Sequence, residues 1–261
     1  MRTRGGPVVL MYHGFAAARR SDDFENLMVP EQRLRQQLDH LRRAGWTALD
    51  LDGYLAALAG RRVPRSFIVT LDDGFRSVLE LGAPILAAAG VPAVLFMPAG
   101  LVGGHCSWMP DLATEPLLTA DELRAVRAMG IEVGAHGLDH VSLLGMSDAE
   151  LRRQTAGARE RLADLTGAAP RSFAYPYGDF DQRAQAAVRT AGFEVAFSVF
   201  DDAGRYAISR VDVNATDNAS SFRVKLLPGY RRWWRAMNRL GPARRTAGRL
   251  IRGPSRPRER A

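Results

Sequence analysis

Two short segments contain the residue types of a hydrolytic metal site. The first, TLDDGF, holds the adjacent carboxylates Asp72 and Asp73, and the second, HGLDH, holds His136 and His140 at an i,i+4 spacing. Borderline cations such as Zn²⁺ bind imidazole nitrogen and carboxylate oxygen, and a catalytic site keeps one coordination position open for water. Asp73, His136 and His140 would supply three protein ligands. Asp72 would then be free to act as a base.

Each segment alone has an ordinary structural interpretation. Asp-Asp-Gly after an apolar run is common turn chemistry, and an HxxxH spacing by itself is equally unspecific. The surroundings favour a site, because residues 66–71 and 130–135 have the composition of buried strands that lead into the two segments. In a parallel α/β sheet both segments would emerge at the carboxyl edge, where catalytic residues collect.

Strand-like and helix-like runs alternate along the chain, which predicts an α/β fold with a parallel sheet. The predicted strands cover residues 7–12, 46–49, 66–71, 93–99, 131–135, 172–175, 194–199 and 207–213. The predicted helices cover residues 31–44, 76–89, 120–129, 148–166 and 182–191, and each runs into a glycine, which tolerates the left-handed conformation that ends a helix. Two helices begin with capping boxes, Thr119 with Glu122 and Ser147 with Glu150.

A third segment, FAYPYG at residues 173–178, completes a family pattern. TLDDGF, the HxxxH pair and FAYPYG, in this order, resemble the polysaccharide deacetylases of the NodB-homology type, carbohydrate esterase family 4. The opening VVLMYHGF resembles the first strand of the subgroup that includes biofilm poly-N-acetylglucosamine deacetylases. The resemblance spans about residues 7–213 and implies a distorted (β/α) barrel of fewer than eight strands.

The resemblance also assigns roles to individual residues. It implies a divalent metal, with Zn²⁺ favoured and Co²⁺, Ni²⁺ or Mn²⁺ as alternatives, since availability decides between such ions more than ligand type does here. It assigns the backbone N–H of Tyr177 to the tetrahedral oxyanion, with Pro176 fixing the turn, and Tyr175 and Pro176 to substrate binding. Trp108, in the long loop 100–116, is a candidate sugar platform because aromatic faces stack on flat ligands; the alternative is a loop anchor.

The chain departs from the family pattern beside the proposed base. Many relatives carry an arginine just before the YPYG-like residues, but Ala174 occupies that position, and strand alternation points Arg171 to the other face. Arg210 resembles a late-strand arginine of the biofilm-polymer subgroup, and we expect it to supply the positive charge beside Asp72. The alternative is that Arg210 pairs with another aspartate, such as Asp212, or with solvent.

The general acid is the second departure, because the late histidine of the family is missing and no histidine follows His140. His13, at the end of the first strand, and His105, in the loop after the fourth, are the remaining candidates. We favour His13, because the end of the first strand faces the same rim as the Asp pair and the subgroup has a matching histidine. A structural hydrogen bond is the alternative role for His13.

The net charge of +8 is unevenly distributed. Of 36 Lys and Arg residues and 28 acidic residues, residues 223–261 contain 13 basic and one acidic, or +12, so the remaining 23 basic and 27 acidic residues give −4. We therefore divide the chain into a catalytic barrel, residues 1–222, and a basic tail, residues 223–261, expected to be partly disordered.

The apolar residues of the tail recur near helical spacing. They are Leu226, Tyr230, Trp233, Trp234, Met237 and Leu240. Such a helix, rich in arginine and tryptophan, suits the surface of an anionic membrane; the alternative is a terminal helix packed on the barrel with a disordered basic end. No nucleic-acid recognition motif is present, so no nucleic-acid partner is expected.

The N-terminus lacks the apolar core of a signal peptide, and no run reaches transmembrane length. We therefore expect a cytoplasmic enzyme, peripheral on the inner face of the membrane beside glycan-assembly proteins. The expected function is metal-dependent removal of an acetyl group from an N-acetylated sugar of a polysaccharide or lipid-linked glycan. The alternatives are deacylation of a small non-glycan amide and a catalytically inactive barrel that binds glycan or acts as a scaffold.

Overall fold

A computed structural model describes residues 6–230 and Trp233 of the protein. Within this range the strands are β1 (Val8–Tyr12), β2 (Gly14–Ala16), β3 (Met28–Pro30), β4 (Thr47–Ala48), β5 (Ser66–Leu71), β6 (Ala93–Met97), β7 (Ile131–Ala135), β8 (Ser172–Ala174), β9 (Val195–Phe197) and β10 (Val211–Asp212). Seven follow one path in the order β10-β1-β5-β6-β7-β8-β9, β4 pairs only with β5, and β2 pairs with β3. Every ladder is parallel. The strands of the main sheet therefore end at one common edge.

The main sheet curls, and one segment links its two edges. The amide of Ile208 donates to the carbonyl of Ala196 in β9 (3.0 Å), and the amide of Val213 donates to the carbonyl of Met11 in β1 (2.8 Å). All residues of β5 and β6 are buried, as expected for parallel strands with both faces covered. The result is the curled, barrel-like α/β fold that the family resemblance implies, although with β4 the main sheet has eight strands rather than fewer than eight.

Helices connect the strands. They are α1 (Glu31–Arg43), α2 (Leu51–Leu58), α3 (Ala83–Ala88), α4 (Ala120–Ala128), α5 (Asp148–Arg152), α6 (Ala158–Thr166), α7 (Gln182–Thr190) and α8 (Ala219–Lys225). Most of them pack in the main core cluster on one face of the sheet, whereas Leu51, Tyr54 and Leu55 pack in a second cluster with the other face. Both predicted capping boxes are present at the starts of α4 and α5. The glycines predicted to end helices all have positive φ. The predicted helix boundaries are therefore confirmed to within two residues, except in two places where a π-helical turn interrupts the helix.

The two π-helical turns are Val78–Gly82, before α3, and Arg153–Gly157, between α5 and α6. A π-turn adds a residue to the helix and is frequent at functional sites. The sequence pattern predicts one continuous helix in both regions and gives no sign of the insertion. Helix α2, capped by Asp50 whose side chain accepts from the amide of Gly53, and the β2-β3 pair are also absent from the predicted elements.

Helix α8 crosses the predicted boundary between barrel and tail. Phe222 and Leu226 are buried in the main core, and Lys225 pairs with the buried Asp217 at 2.6 Å. The chain therefore packs on the barrel at least as far as Leu226, while Trp234, Met237 and Leu240 lie outside the described residues. Among the described residues, none of the helices combines the length and apolar character that a membrane crossing requires.

Candidate active site

The two sequence segments meet at the carboxyl edge of the sheet. Asp73 follows β5, and His136 and His140 follow β7. Oδ1 of Asp73 lies 3.5 Å from Nε2 of His136 and 3.1 Å from Nε2 of His140, and one ligand atom from each residue lies within 4.8 Å of the others. All three side chains are buried. The predicted convergence of these three residues is thus present in the structure.

The spacing and hydrogen bonds of the cluster fit a divalent cation. Ligands about 2.0–2.2 Å from a tetrahedral Zn²⁺ lie roughly 3.5 Å from one another, close to the separations seen here. Nδ1 of His136 lies 2.8 Å from the carbonyl oxygen of Ala174. A proton on that nitrogen leaves the Nε2 lone pair directed at the cluster, as metal-binding histidines require.

Three residues at this edge of the sheet have a strained backbone conformation, and two of them belong to the cluster. Asp73, His140 and Tyr177 have φ values of 72°, 53° and 60°, and they are three of the five non-glycine residues with positive φ in the described part of the chain. Each such residue costs of order 1 kcal/mol or more, and strain of this kind persists where surrounding contacts enforce it. The fold therefore holds two of the three ligands in conformations that an unconstrained chain avoids.

Asp72 points to a different partner from Asp73. Its two carboxylate oxygens accept from Nη1 and Nη2 of Arg210, each at 2.6 Å, and Nε of Arg210 donates to the carbonyl of Ser198 at 2.9 Å. Nη1 also lies 3.2 Å from the hydroxyl of Thr70. Both side chains of the pair are buried. Arg210 therefore lies where the sequence analysis places it, beside Asp72, and not on Asp212.

The charges of this pair control the ionisation of Asp72. Burial raises the pKa of a carboxyl group, but the guanidinium of Arg210 and the nearby His136 and His13 outweigh it and hold the pKa of Asp72 below its usual range. Asp72 is therefore ionised at neutral pH and can accept a proton. In the cluster, burial likewise opposes ionisation of Asp73, and hydrogen bonds from the two ligand histidines lower its pKa well below the usual range.

The pKa values of the two histidines in the cluster are shifted in opposite directions. Burial lowers the pKa of both rings, and it prevails at His140. At His136 the hydrogen bond with Asp73, the charge of Asp72 and the carbonyl of Ala174 outweigh burial and raise the pKa. Metal binding requires an ionised carboxylate and neutral imidazole rings, so a cation bound here would compete with a proton that His136 holds more tightly than a free imidazole does.

His13 is the candidate acid that lies near the reacting groups. It is close enough to both Asp72 and Asp73 for its charge to lower their pKa values. Its Nδ1 is buried and has no hydrogen-bond partner among the described residues. His105 is exposed in a bridge with Pro116 in the loop after β6. The choice of His13 over His105 as the acid stays a prediction, and the nearness of His13 to both aspartates supports it.

Two aromatic side chains form the wall around His140. The ring of Trp108 stacks on the His140 ring with centroids 4.0 Å apart and planes 20° apart, and the Tyr177 ring meets it edge-on at 4.9 Å. Tyr177 is 54% exposed, so it lies at the mouth of the site. One face of Trp108 is thus covered by a ligand histidine, which makes Trp108 a support for His140 as well as a candidate sugar platform.

Tyr175 and Pro176 lie beneath the site surface. Tyr175 is fully buried, its ring packs on Phe173 and Phe180, and its hydroxyl donates to the carbonyl of Tyr206 at 2.9 Å. Pro176 is also buried. The structure therefore corrects their assignment to substrate binding: alternation along the strand turns Tyr175 into the core, and only Tyr177, in the turn that follows, faces outwards.

Arg171 lies outside the sheet, as strand alternation predicts. It pairs with Glu194 at 2.7 Å and with Asp52 at 2.7 Å, away from Asp72. Two contributions to the site are absent from the sequence predictions. Thr70, two residues before Asp72 on the same face of β5, could have been found from strand alternation. The contacts of Gln154 with the histidine loop could not, because no local pattern marks that residue.

Comparisons with known proteins agree with this fold. Residues 59–196 match the family model described as polysaccharide deacetylase. The chain is 23% identical over 225 residues to the poly-beta-1,6-N-acetyl-D-glucosamine N-deacetylase of Staphylococcus aureus (strain MSSA476), covering 80% of this chain and 75% of that protein. The fold of this chain is similar to that of IcaB from Ammonifex degensii, with a TM-score of 0.72 and 26% identity, and the match covers 85% of this chain and 96% of that chain. It is also similar to the Streptococcus pyogenes deacetylase PplD, with a TM-score of 0.75, 17% identity and coverage of 87% and 100%.

Proposed function

The chain belongs to the polysaccharide deacetylase family, and from this premise we propose that it is a Zn²⁺-dependent hydrolase that removes the acetyl group from an N-acetylated sugar of a polysaccharide or lipid-linked glycan. One observation carries the proposal. The ligand cluster of Asp73, His136 and His140 lies next to Asp72, a second buried carboxylate whose own partner is an arginine. A structural metal site would need the cluster alone, whereas hydrolysis needs a separate base as well.

Each of these side chains has a defined task in the proposed reaction. Asp73, His136 and His140 would hold the cation, which when bound polarises an acetamide carbonyl and lowers the pKa of water. Asp72 takes the proton from the attacking water, and Arg210 keeps Asp72 ionised until it does. The backbone N–H of Tyr177 is proposed to donate to the oxyanion. His13 is proposed to protonate the departing amine, because amide hydrolysis requires an acid at that atom.

The proposal is tested by metal content and acetate release measured on the same preparations. We expect the protein to bind about one Zn²⁺ per chain and to release acetate from N-acetylglucosamine oligomers, and a chelator to abolish the release. Asp72→Asn should retain the metal and lose the activity, whereas Asp73→Asn should lose both. Metal without acetate release in the wild type would contradict the deacetylase function.

The glycan assignment is separated from the small-amide alternative by substrate length. The Staphylococcus aureus relative is named for a β-1,6-linked N-acetylglucosamine polymer, which supports a polymeric substrate here. We expect kcat/KM to rise from the N-acetylglucosamine monomer to its β-1,6-linked oligomers, since extra sugar units add binding energy that can be used at the reacting centre. Faster hydrolysis of a small N-acetylated amine than of any oligomer would favour the alternative.

We also propose that the basic tail brings the enzyme to an anionic membrane surface on the cytoplasmic side. The charge of +12 in residues 223–261 supports this, as does the exposure of Val224, Leu227 and Trp233 at 51%, 59% and 56%. We expect cosedimentation with vesicles containing phosphatidylglycerol, but not with pure phosphatidylcholine, and weaker cosedimentation as salt rises. Equal recovery with both vesicle types would contradict the membrane proposal and leave the deacetylase proposal intact.

A further inference from the structure

The loop that carries both ligand histidines is held from two sides. On one side, the amides of Ala99 and Gly100 donate to the carbonyls of Gly137 (3.0 Å) and Leu138 (2.7 Å). On the other side, Gln154 reaches the same loop from the helical region after Ser147. Such contacts decide where the loop lies, because three residues between two ligands leave many other conformations open.

The side chain of Gln154 uses both ends of its amide on this loop. Its Oε1 accepts from the amides of Leu138 (2.8 Å) and Asp139 (3.2 Å), and its Nε2 donates to Oδ2 of Asp139 (2.7 Å). Gln154 is only 2% exposed. The two backbone donors lie between the ligands His136 and His140. The side chain of Gln154 therefore bonds to both the backbone and a side chain of the same loop.

The backbone at Gln154 and along the loop fits this contact. Gln154 is the second residue of the π-helical turn Arg153–Gly157, and an inserted residue in a helix changes which side chains face inwards. Gly137 has φ of +72°, and a Cβ there would lie 3.2 Å from Oε1 of Gln154. The loop can therefore approach Gln154 this closely because position 137 carries no side chain.

We propose that Gln154 is a positioning residue that pre-organises the His136–His140 loop for metal binding. The inference rests on the metal-dependent function proposed above, and it adds a residue that touches neither the ligand atoms nor the substrate. Groups that orient metal ligands through hydrogen bonds typically contribute 10–100-fold to metal affinity. The contribution arises because a loop already in its bound conformation loses less entropy when the cation binds.

The chemistry of the contact predicts which substitutions can replace glutamine. Gln154→Met keeps the length of the side chain and loses every hydrogen bond, so two partly buried backbone donors lose their acceptor. Gln154→Glu keeps the acceptor but sets a second carboxylate against Asp139. Combining Gln154→Glu with Asp139→Asn exchanges donor and acceptor between the two side chains and restores a complementary pair.

The test is Zn²⁺ affinity, measured by competition with a chelator of known affinity, together with the visible absorption spectrum of the Co²⁺-loaded protein. We expect Gln154→Met and Gln154→Glu to weaken the affinity by about 10-fold or more and to alter the Co²⁺ spectrum. The Gln154→Glu/Asp139→Asn double variant should recover most of the affinity. A merely structural role predicts no such recovery that is specific to the exchanged pair.

Two control variants separate positioning from general stability. Thr166→Val removes another buried side-chain hydrogen bond from the same helical region, that of the Thr166 hydroxyl to the carbonyl of Leu162 at 2.7 Å. It should lower the unfolding free energy of the apoprotein and leave Zn²⁺ affinity within about two-fold of wild type. Arg153→Ala removes only the exposed partner of Asp139, and such surface pairs contribute little, so it should behave like wild type.

The possible outcomes either support or overturn the inference. Wild-type affinity in Gln154→Met, or an equal loss in Thr166→Val, would overturn it. So would a double variant that binds Zn²⁺ no better than Gln154→Glu alone. If wild type binds Zn²⁺ and releases no acetate, the proposed function fails while the metal-affinity result still decides the role of Gln154.

Discussion

Replacing Arg210 by Met removes the partner of a buried charge and should show most directly how the base is controlled. Arg210 makes two 2.6 Å hydrogen bonds to Asp72, and both side chains are almost fully buried. Removing one partner of such a pair typically destabilises a protein by about 3–5 kcal/mol, because the other charge remains buried without compensation. Protonation of Asp72 would offset part of this cost.

The direction of the pH dependence follows from the pKa of Asp72. In the folded wild type this pKa lies below its usual range, so the pair stabilises the protein fully above about pH 4 and loses this effect as the pH falls through the folded-state pKa. Without Arg210, burial is the largest remaining cause, and burial raises the pKa. The stability difference between wild type and Arg210→Met should therefore be largest at neutral pH and shrink on acidification.

Arg210→Met should also shift the pH dependence of acetate release. A base that protonates more easily is inactive over a wider acidic range, so the acidic limb of kcat/KM for acetate release should shift to higher pH. Losing the base at the working pH costs up to about 10²–10⁴-fold in rate. Arg210→Lys should recover only part of the rate, because an ammonium group cannot form the two parallel hydrogen bonds.

The assays are urea unfolding from pH 4 to 8, the pH profile of acetate release, and Zn²⁺ content as a control. Zn²⁺ content should be unchanged, since Arg210 contacts Asp72 and not the ligand cluster. The double variant Asp72→Asn/Arg210→Met should regain stability relative to Arg210→Met and remain inactive. An unchanged acidic limb together with an unchanged unfolding free energy in Arg210→Met would show that Arg210 does not control the ionisation of Asp72.

Three further predictions concern the other parts of the site. His13→Gln should lower kcat for acetate release with Zn²⁺ retained, because amide hydrolysis needs an acid at the departing amine. An unchanged kcat would exclude His13 as the acid. Trp108→Ala should weaken Zn²⁺ binding several-fold, because it removes the ring that stacks on His140, and Trp108→Phe should weaken it less. Chelator competition measures the affinity. Equal affinity in both variants and wild type would show that Trp108 does not support His140. Removing Zn²⁺ should lower the unfolding free energy by about 2.7 kcal/mol relative to protein at a free metal concentration 100 times Kd. Thermal unfolding with and without chelator measures this difference. Identical melting temperatures would show that the cluster does not bind the metal under those conditions.

Local sequence patterns determined most of the elements and the chemistry of the ligands. Residues 66–71 and 131–135 are strands with the predicted boundaries, and the capping boxes at Thr119 and Ser147 begin helices as predicted. These features depend on neighbours within a few positions, so the sequence expresses them directly. The ligand set could be named for the same reason, because its residues follow recognisable strands.

Contacts between distant segments were decided by the tertiary structure. Tyr175 is predicted at the substrate surface but lies in the core, and Trp108 stacks on His140, a residue 32 positions away in the sequence. The residue types fit several arrangements equally well, and only packing chooses among them. Gln154 shows this most clearly, since its sequence neighbours are those of an ordinary helix.

Local patterns predicted the three candidate metal ligands, the second carboxylate beside them, and most strands and helices in chain order, but not α2, the β2-β3 pair or the two π-helical turns. Packing between distant segments placed Tyr175 in the core and brought Gln154 to the histidine loop through a π-helical turn, neither of which the sequence predicts. It also paired Arg210 with Asp72, as expected, where the sequence had left Asp212 open as a partner. The two groups of features differ in the range of the interactions that produce them. Hydrophobic periodicity and capping act within a turn or a strand, whereas the ionisation of a carboxylate and the conformation of a loop depend on whichever distant groups the fold brings within a few ångströms.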